Sequence, residues 1–144
     1  MRTDLPDLSA VLWIPIEDIF NGWLSVDSCR IRLGAQEKTY AEWMLLIGDK
    51  RTHCQYEAVL PLLTETGFLL PLAFRKEDGN KILPNGHHRL TAAYDLGYKY
   101  IPFVYARDDQ TTHYEVRDFK YEDLFSLIHP ENPLPKNPKS PTIN

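Results

Sequence analysis

Gly86 and Gly97 bracket a ten-residue span, HHRLTAAYDL, and the apolar run YIPFVYAR follows at 100–107. A glycine on each side, with Leu90, Ala92 and Ala93 on one face, predicts a helix over His87–Leu96 stopped by Gly97. The run after it predicts a buried strand. A buried strand needs neighbours on a sheet, so the rest of the chain must supply them. The stretch FLLPLAFRKEDGNKILPNG (68–86) reads as strand, tight turn at Glu77–Asn80 and strand, with Asp78-Gly79 as the hairpin signal. VLWIPIEDIF (11–20) reads as a first strand over Val11–Ile16 and a short helical turn at Glu17–Phe20.

Two further helices fit between these strands. In QEKTYAEWMLLIGDK (36–50), Tyr40, Trp43, Met44 and Ile47 fall on one face, and Gly48 is expected to close the helix. In CQYEAVLPLLTETGF (54–68), Tyr56, Val59, Leu60 and Leu63 share a face and Gly67 caps it. Pro61 inside that pattern predicts a kink or a helix start. NGWLSVDSCRIRLG (21–34) is rich in turn residues, with a short strand around Cys29–Leu33. YEDLFSLI (121–128) reads as a last short helix. The tail from His129 holds five prolines in sixteen residues and is expected to be extended or disordered. The sum is one α+β domain over residues 1–128, a small mixed sheet flanked by helices, followed by the tail 129–144.

The helix start is unusual in charge. Asn85 suits an N-cap, Gly86 lets the backbone approach closely, and His87, His88 and Arg89 fill the first turn. A helix N-terminus is already partially positive, so bases are disfavoured there unless an anion compensates them. Free amides, the dipole and a forked guanidinium suit phosphate. A histidine could add a hydrogen bond or move a proton. His87 and His88 are adjacent and point about 100° apart, so they are not expected to chelate one metal ion as an i, i+4 pair would; no zinc site is predicted.

ILPNGHHRLTAAYDLGYKYIPFVYA resembles the ParB/sulfiredoxin superfamily: a glycine, a charged pair, Arg, an apolar residue, small residues, then Leu-Gly and Ile-Pro. WIPIEDI is similar to the opening strand and turn of that family. YEAVLPLLTETGFLLPLAFRKEDGNKILPNG is similar to its helix, its Gly-x-x-x-Pro lead into a strand, and its hairpin. The likeness covers residues 11–106 and is loose over 21–50, which would be a divergent or inserted segment. It implies a small fold that binds nucleotide phosphates at the glycine-led helix start. Family members hydrolyse CTP, use ATP to repair an oxidised cysteine, or phosphorylate serine with ATP or ADP; some are labelled nucleases. Carried over by position, Asn85, Gly86, His87, His88 and Arg89 form the phosphate-contacting turn. Standalone relatives read Asp-Gly-His-His-Arg; Asn85 here removes one carboxylate. Sulfiredoxins read Gly-Cys-His-Arg, and His87 stands where their nucleophile would be, which argues against that activity. Partition proteins continue into a helix-turn-helix domain; the short segment after the strand argues against sequence-specific DNA binding.

Other residues complete the expected site. Glu17, with Asp18 behind it, could act as general base or hold Mg²⁺ after the opening strand. Lys50, Arg51 and His53 precede the helix that in the family adds basic phosphate contacts, and a Thr-His before that helix would face the site. The loop residues Asp108, Asp109, His113 and Glu115 read more plainly as a polar loop than as a nuclease centre. Trp13, Trp23, Trp43 and the aromatic set Tyr94, Tyr98, Tyr100 and Phe103 read as packing. The net charge of −4 disfavours nonspecific nucleic-acid binding. Cys29 and Cys54 lack metal spacing and suit free thiols of a reducing cytosol. No apolar run is long enough to span a bilayer, so a cytoplasmic protein without a membrane partner is expected. The expected ligand is ATP, ADP or CTP, or another small phosphorylated molecule, with Mg²⁺ as an accompanying ion. Turnover would be phosphoryl transfer or triphosphate hydrolysis. The competing readings are a non-enzymatic regulator of the phage or mobile-element type that acts on a host protein or a DNA transaction, and a ParB-like nuclease.

Overall fold

The computed structural model describes residues 5–25, 40–77, 79–105 and 114–133. A 3₁₀ turn at Leu8–Ala10 leads into strand β1, Leu12–Pro15, and Pro15 starts helix α1, Ile16–Gly22, with Glu17 and Asp18 in its first turn. Two acids there suit the helix dipole. The short strand β2, Leu24–Ser25, follows. The strand expected around Cys29–Leu33 lies outside the described residues. Helix α2 is Tyr40–Lys50 and α3 is Cys54–Thr66. Strands β3, Leu72–Glu77, and β4, Asn80–Asn85, form the hairpin. Helix α4, His87–Asp95, and strand β5, Tyr100–Tyr105, come next. A 3₁₀ turn at Val116–Asp118 and helix α5, Tyr121–Leu124, which tightens into a 3₁₀ turn at Phe125–Leu127, close the described chain.

The five strands form one mixed sheet in the order β1-β5-β3-β4-β2, flanked by helices, an α+β architecture. β5 runs antiparallel to β1 and parallel to β3, so it is an interior strand, as its apolar run predicts. β3 and β4 are antiparallel, and β2 lies parallel to the outer side of β4. One residue separates Ala73 from Arg75, while two separate their partners Ile82 and Asn85. That is a bulge, and Pro84, which has no N–H to give a ladder, sits in it. Past the bulge, β4 ends at Asn85, immediately before Gly86, where the chain turns into α4.

Two helices differ from expectation in detail. In α2 the buried stripe is Trp43, Leu46, Ile47 and Lys50, whereas Tyr40 is exposed, so the face is rotated from the one predicted. Gly48 does not close this helix, which runs on to Lys50. In α3 the predicted face packs on the core, and Gly67 caps it in the left-handed region at φ 73°. Pro61 lies on the exposed side inside α3 and neither starts nor ends it.

The main core joins α1, α2, α3 and α4 to the sheet through Ile19, Trp43, Leu63, Leu72, Leu90 and Ile101. A second cluster, including Leu8, Phe68, Leu70, Tyr114 and Leu124, gathers the two ends of the described chain. The packed chain also runs past residue 128. The His129 ring stacks on Tyr100 with centroids 4.4 Å apart and meets Trp13 edge-on. Asn132 is buried; its Oδ1 accepts from the Lys99 and Tyr100 amides at 2.8 and 2.9 Å, and its Nδ2 donates to the Tyr100 carbonyl at 2.9 Å. The first residues of the tail that was expected to be extended or disordered from His129 therefore clasp β5. Asn132→Ala removes three hydrogen bonds and is expected to cost about 2–3 kcal/mol, read as a lowered midpoint in urea denaturation; an unchanged midpoint contradicts the clasp.

Candidate functional site

Helix α4 begins without a side-chain cap, and its N-cap is Gly86, not Asn85, which instead ends β4. Gly86 has φ 107°, and a Cβ there would lie 2.7 Å from Leu72 Cδ2 and 3.5 Å from Leu72 Cα. The glycine thus answers first to its approach to β3, rather than to a ligand.

The three basic residues after it do not converge. Successive helical side chains diverge by about 100°, and each meets different neighbours. His87 turns inward, is buried, and places Nε2 2.6 Å from the Ser25 hydroxyl at the end of β2, with its ring stacked beside Trp43. Arg89 reaches the other way. Its Nη1 donates to the Pro71 carbonyl at 3.0 Å and its Nη2 to the Tyr114 carbonyl at 3.2 Å, with the guanidinium 4.7 Å from the centre of the Tyr114 ring. The Tyr114 hydroxyl donates to the same Pro71 carbonyl. Burial pulls the Arg89 guanidinium below its ordinary value and pushes the Tyr114 hydroxyl up, the neighbouring cation opposing the latter. Arg89 joins the start of β3 to the segment at 114. The expected forked grip on phosphate is corrected: the fork is spent on backbone carbonyls.

His88 alone of the three faces the start of another helix. Its Nε2 lies 3.1 Å from Nδ1 of His53, the N-cap of α3, and the rings tilt by 49°. His53 Nε2 in turn lies 3.4 Å from Asp49 Oδ2, four residues back at the end of α2. No side chain caps α3 either. A residue from the start of each helix therefore joins a histidine pair, and a carboxylate stands behind one of them. The first N–H groups of a helix have no acceptor within it.

The remaining predicted residues take other places. Lys50 is buried at the end of α2. Arg51 holds Asp95, at the end of α4, through Nε at 2.9 and 3.1 Å and through Nη2, and the Tyr56 hydroxyl donates to the same carboxylate at 2.6 Å. An acid at a helix C-terminus opposes the dipole, and Arg51 offsets it. Burial pushes the Asp95 carboxyl up, but the bonds from Arg51 and Tyr56 outweigh this and hold it below the ordinary value; burial and Asp95 together push Tyr56 up to about 12. Asp95 thus contributes stability above the unfolded carboxylate range, and loses it as pH falls through its depressed folded value. With Arg51 half-exposed, the pair is worth about 1 kcal/mol. Asp95→Asn is expected to lower stability by about that much at pH 7, with the difference from wild type shrinking in strong acid. A pH-independent difference in denaturant titrations contradicts the assignment.

Glu17 is exposed and accepts from the Tyr40 hydroxyl at 3.4 Å, with no contact to either histidine of the pair; Asp18 is exposed beside it. The structure does not join Glu17 to this junction. Asp108, Asp109 and His113 lie outside the described residues, and Glu115 caps the turn at Val116–Asp118 and pairs with Arg117. Among the described residues no three metal-ligating side chains are gathered. No described helix is long and apolar enough to cross a membrane. Cys54 is free and exposed; Cys29 lies outside the described residues.

No family model, curated protein or solved structure matches this chain. The resemblance to the ParB/sulfiredoxin superfamily rests on the residues quoted for it. Sequence reasoning missed Asp49 and Ser25. The i, i+4 spacing of Asp49 and His53 was a usable signal for the first; nothing local marked Ser25, whose partner is 62 positions away.

Proposed function

We propose that the chain is a standalone ParB/sulfiredoxin-like domain that binds a nucleotide, ATP, ADP or CTP, or another phosphate compound where α3 and α4 begin. The observation that carries this reading is the His53–His88 contact, because it brings together a side chain from the start of each helix. A phosphate placed there takes backbone amides from both helix starts and a ring N–H from the histidines. Mg²⁺ would travel with the phosphates, held mainly by their oxygens. If turnover occurs, it is phosphoryl transfer or triphosphate hydrolysis, with His88 or His53 moving the proton; Glu17 no longer fits as the base. The test is calorimetric titration with ATP, ADP and CTP, with and without Mg²⁺, on wild type and His88→Ala. One of these ligands is expected to bind, and the half-exposed His88 is expected to weaken it at least about tenfold on removal with little change in melting temperature. Equal affinity in both proteins contradicts the site.

One observation favours a second reading. Arg51 and Arg89 are engaged internally, and Lys50 and His87 are buried. A site with so few outward cations suits a non-enzymatic regulator of the phage or mobile-element type acting on a host protein, with Leu45, 68% exposed on α2, among its contact residues. Absence of any nucleotide effect on melting, with a stable protein partner, favours that alternative.

A further inference from the structure

The His53–His88 pair has the spacing of two ligands on one metal ion. Its facing nitrogens are 3.1 Å apart and its ring centroids 5.2 Å apart. Two imidazole nitrogens bound to tetrahedral zinc at about 2.0–2.1 Å lie about 3.3 Å from each other. The far nitrogen of His53 faces the Asp49 carboxylate at 3.4 Å. A carboxylate behind a histidine fixes its tautomer and makes the ligating nitrogen more basic. We propose that His53 Nδ1 and His88 Nε2 bind a borderline transition-metal ion of the zinc class, with Asp49 as the orienting group.

The chemistry follows from the proton positions. Asp49 favours the proton of His53 on Nε2, which leaves Nδ1 with its lone pair. Without metal, that lone pair accepts from the Nε2–H of His88. With metal, the proton of His88 moves to its Nδ1, both facing lone pairs go to the ion, and a neutral pair releases no proton. Adjacent His87 contributes nothing, because its ring is turned to Ser25. The protein supplies two ligands, so water or a phosphate oxygen completes the coordination, as in zinc sites that keep open positions. Imidazole selects zinc, copper or nickel over magnesium, which prefers oxygen.

The inference does not rest on phosphate binding, and its test uses metal alone. Wild-type protein is titrated with Zn²⁺ by calorimetry, and Cu²⁺ is added for electron paramagnetic resonance. The expected result is one ion per chain, with nitrogen couplings from two imidazoles. His53→Ala and His88→Ala should both lose the ion; His88→Gln, which keeps a polar side chain on the half-exposed site, should lose it too while its circular dichroism stays native. Asp49→Asn should weaken binding by about 10–100-fold. Cys54→Ser and His129→Ala should bind as wild type does, and Mg²⁺ should give no heat. No stoichiometric ion in wild type, binding that survives both histidine substitutions, or loss in Cys54→Ser overturns the site.

Discussion

Arg89→Ala is expected to destabilise the protein by about 3 kcal/mol, because hydrogen bonds from a charged donor are worth about 1.5–3 kcal/mol each. Arg89 bonds two carbonyls, Pro71 and Tyr114, and lies over the Tyr114 ring. Its removal strips the Tyr114 carbonyl of that donor and unties the start of β3 from the closing segment. A loss of this size lowers the melting temperature of a chain this long by roughly 10 °C. Arg89→Lys keeps the charge but cannot span two carbonyls, so it should recover less than half of the loss. An arginine serving as a phosphate clamp predicts the opposite pattern: stability kept and ligand affinity gone. Denaturation and binding measured on the same variant separate the two roles.

Gly86→Ala should be comparably severe. The residue sits at φ 107°, where a Cβ is strained, at about 1–3 kcal/mol. The added methyl would also come within 2.7 Å of Leu72 Cδ2, and Leu72 is fully buried, so its side chain would have to shift within the core. Overpacking of a dense core costs a further 1–3 kcal/mol or so. The total, about 2–6 kcal/mol, is a folding effect; a variant that melts with wild type contradicts the geometry at this turn. Gly79, where an added Cβ would meet nothing within 4 Å, provides the contrast: at φ 80° its alanine variant carries strain without a clash.

The parts of the fold set by local chemistry were legible in the sequence. The hairpin follows from Asp78-Gly79, the limits of α3 and α4 from Gly67 and Gly97, and β5 from its apolar run. What escaped was set by distant partners. Asn132 looks like any tail residue until Lys99 and Tyr100 are placed beside it. The parallel pairing of β2 with β4 joins segments far apart in sequence, and two residues carry too little pattern to announce it. The basic turn misled for a definable reason. Three consecutive basic residues read as one patch along the chain, but a helix sends them to different neighbours: a serine, a histidine and two carbonyls. Of the three, His88 meets His53, the N-cap of α3.

The central claim is that a phosphate-bearing ligand sits where α3 and α4 begin. The most direct measurement is a two-dimensional amide NMR titration with ATP, ADP or CTP. The account predicts shifts concentrated at residues 53–56 and 86–89, strongest at the amides of Cys54, Gln55 and His88, and abolished in His88→Ala. Shifts clustered elsewhere, or none at saturating ligand, contradict it.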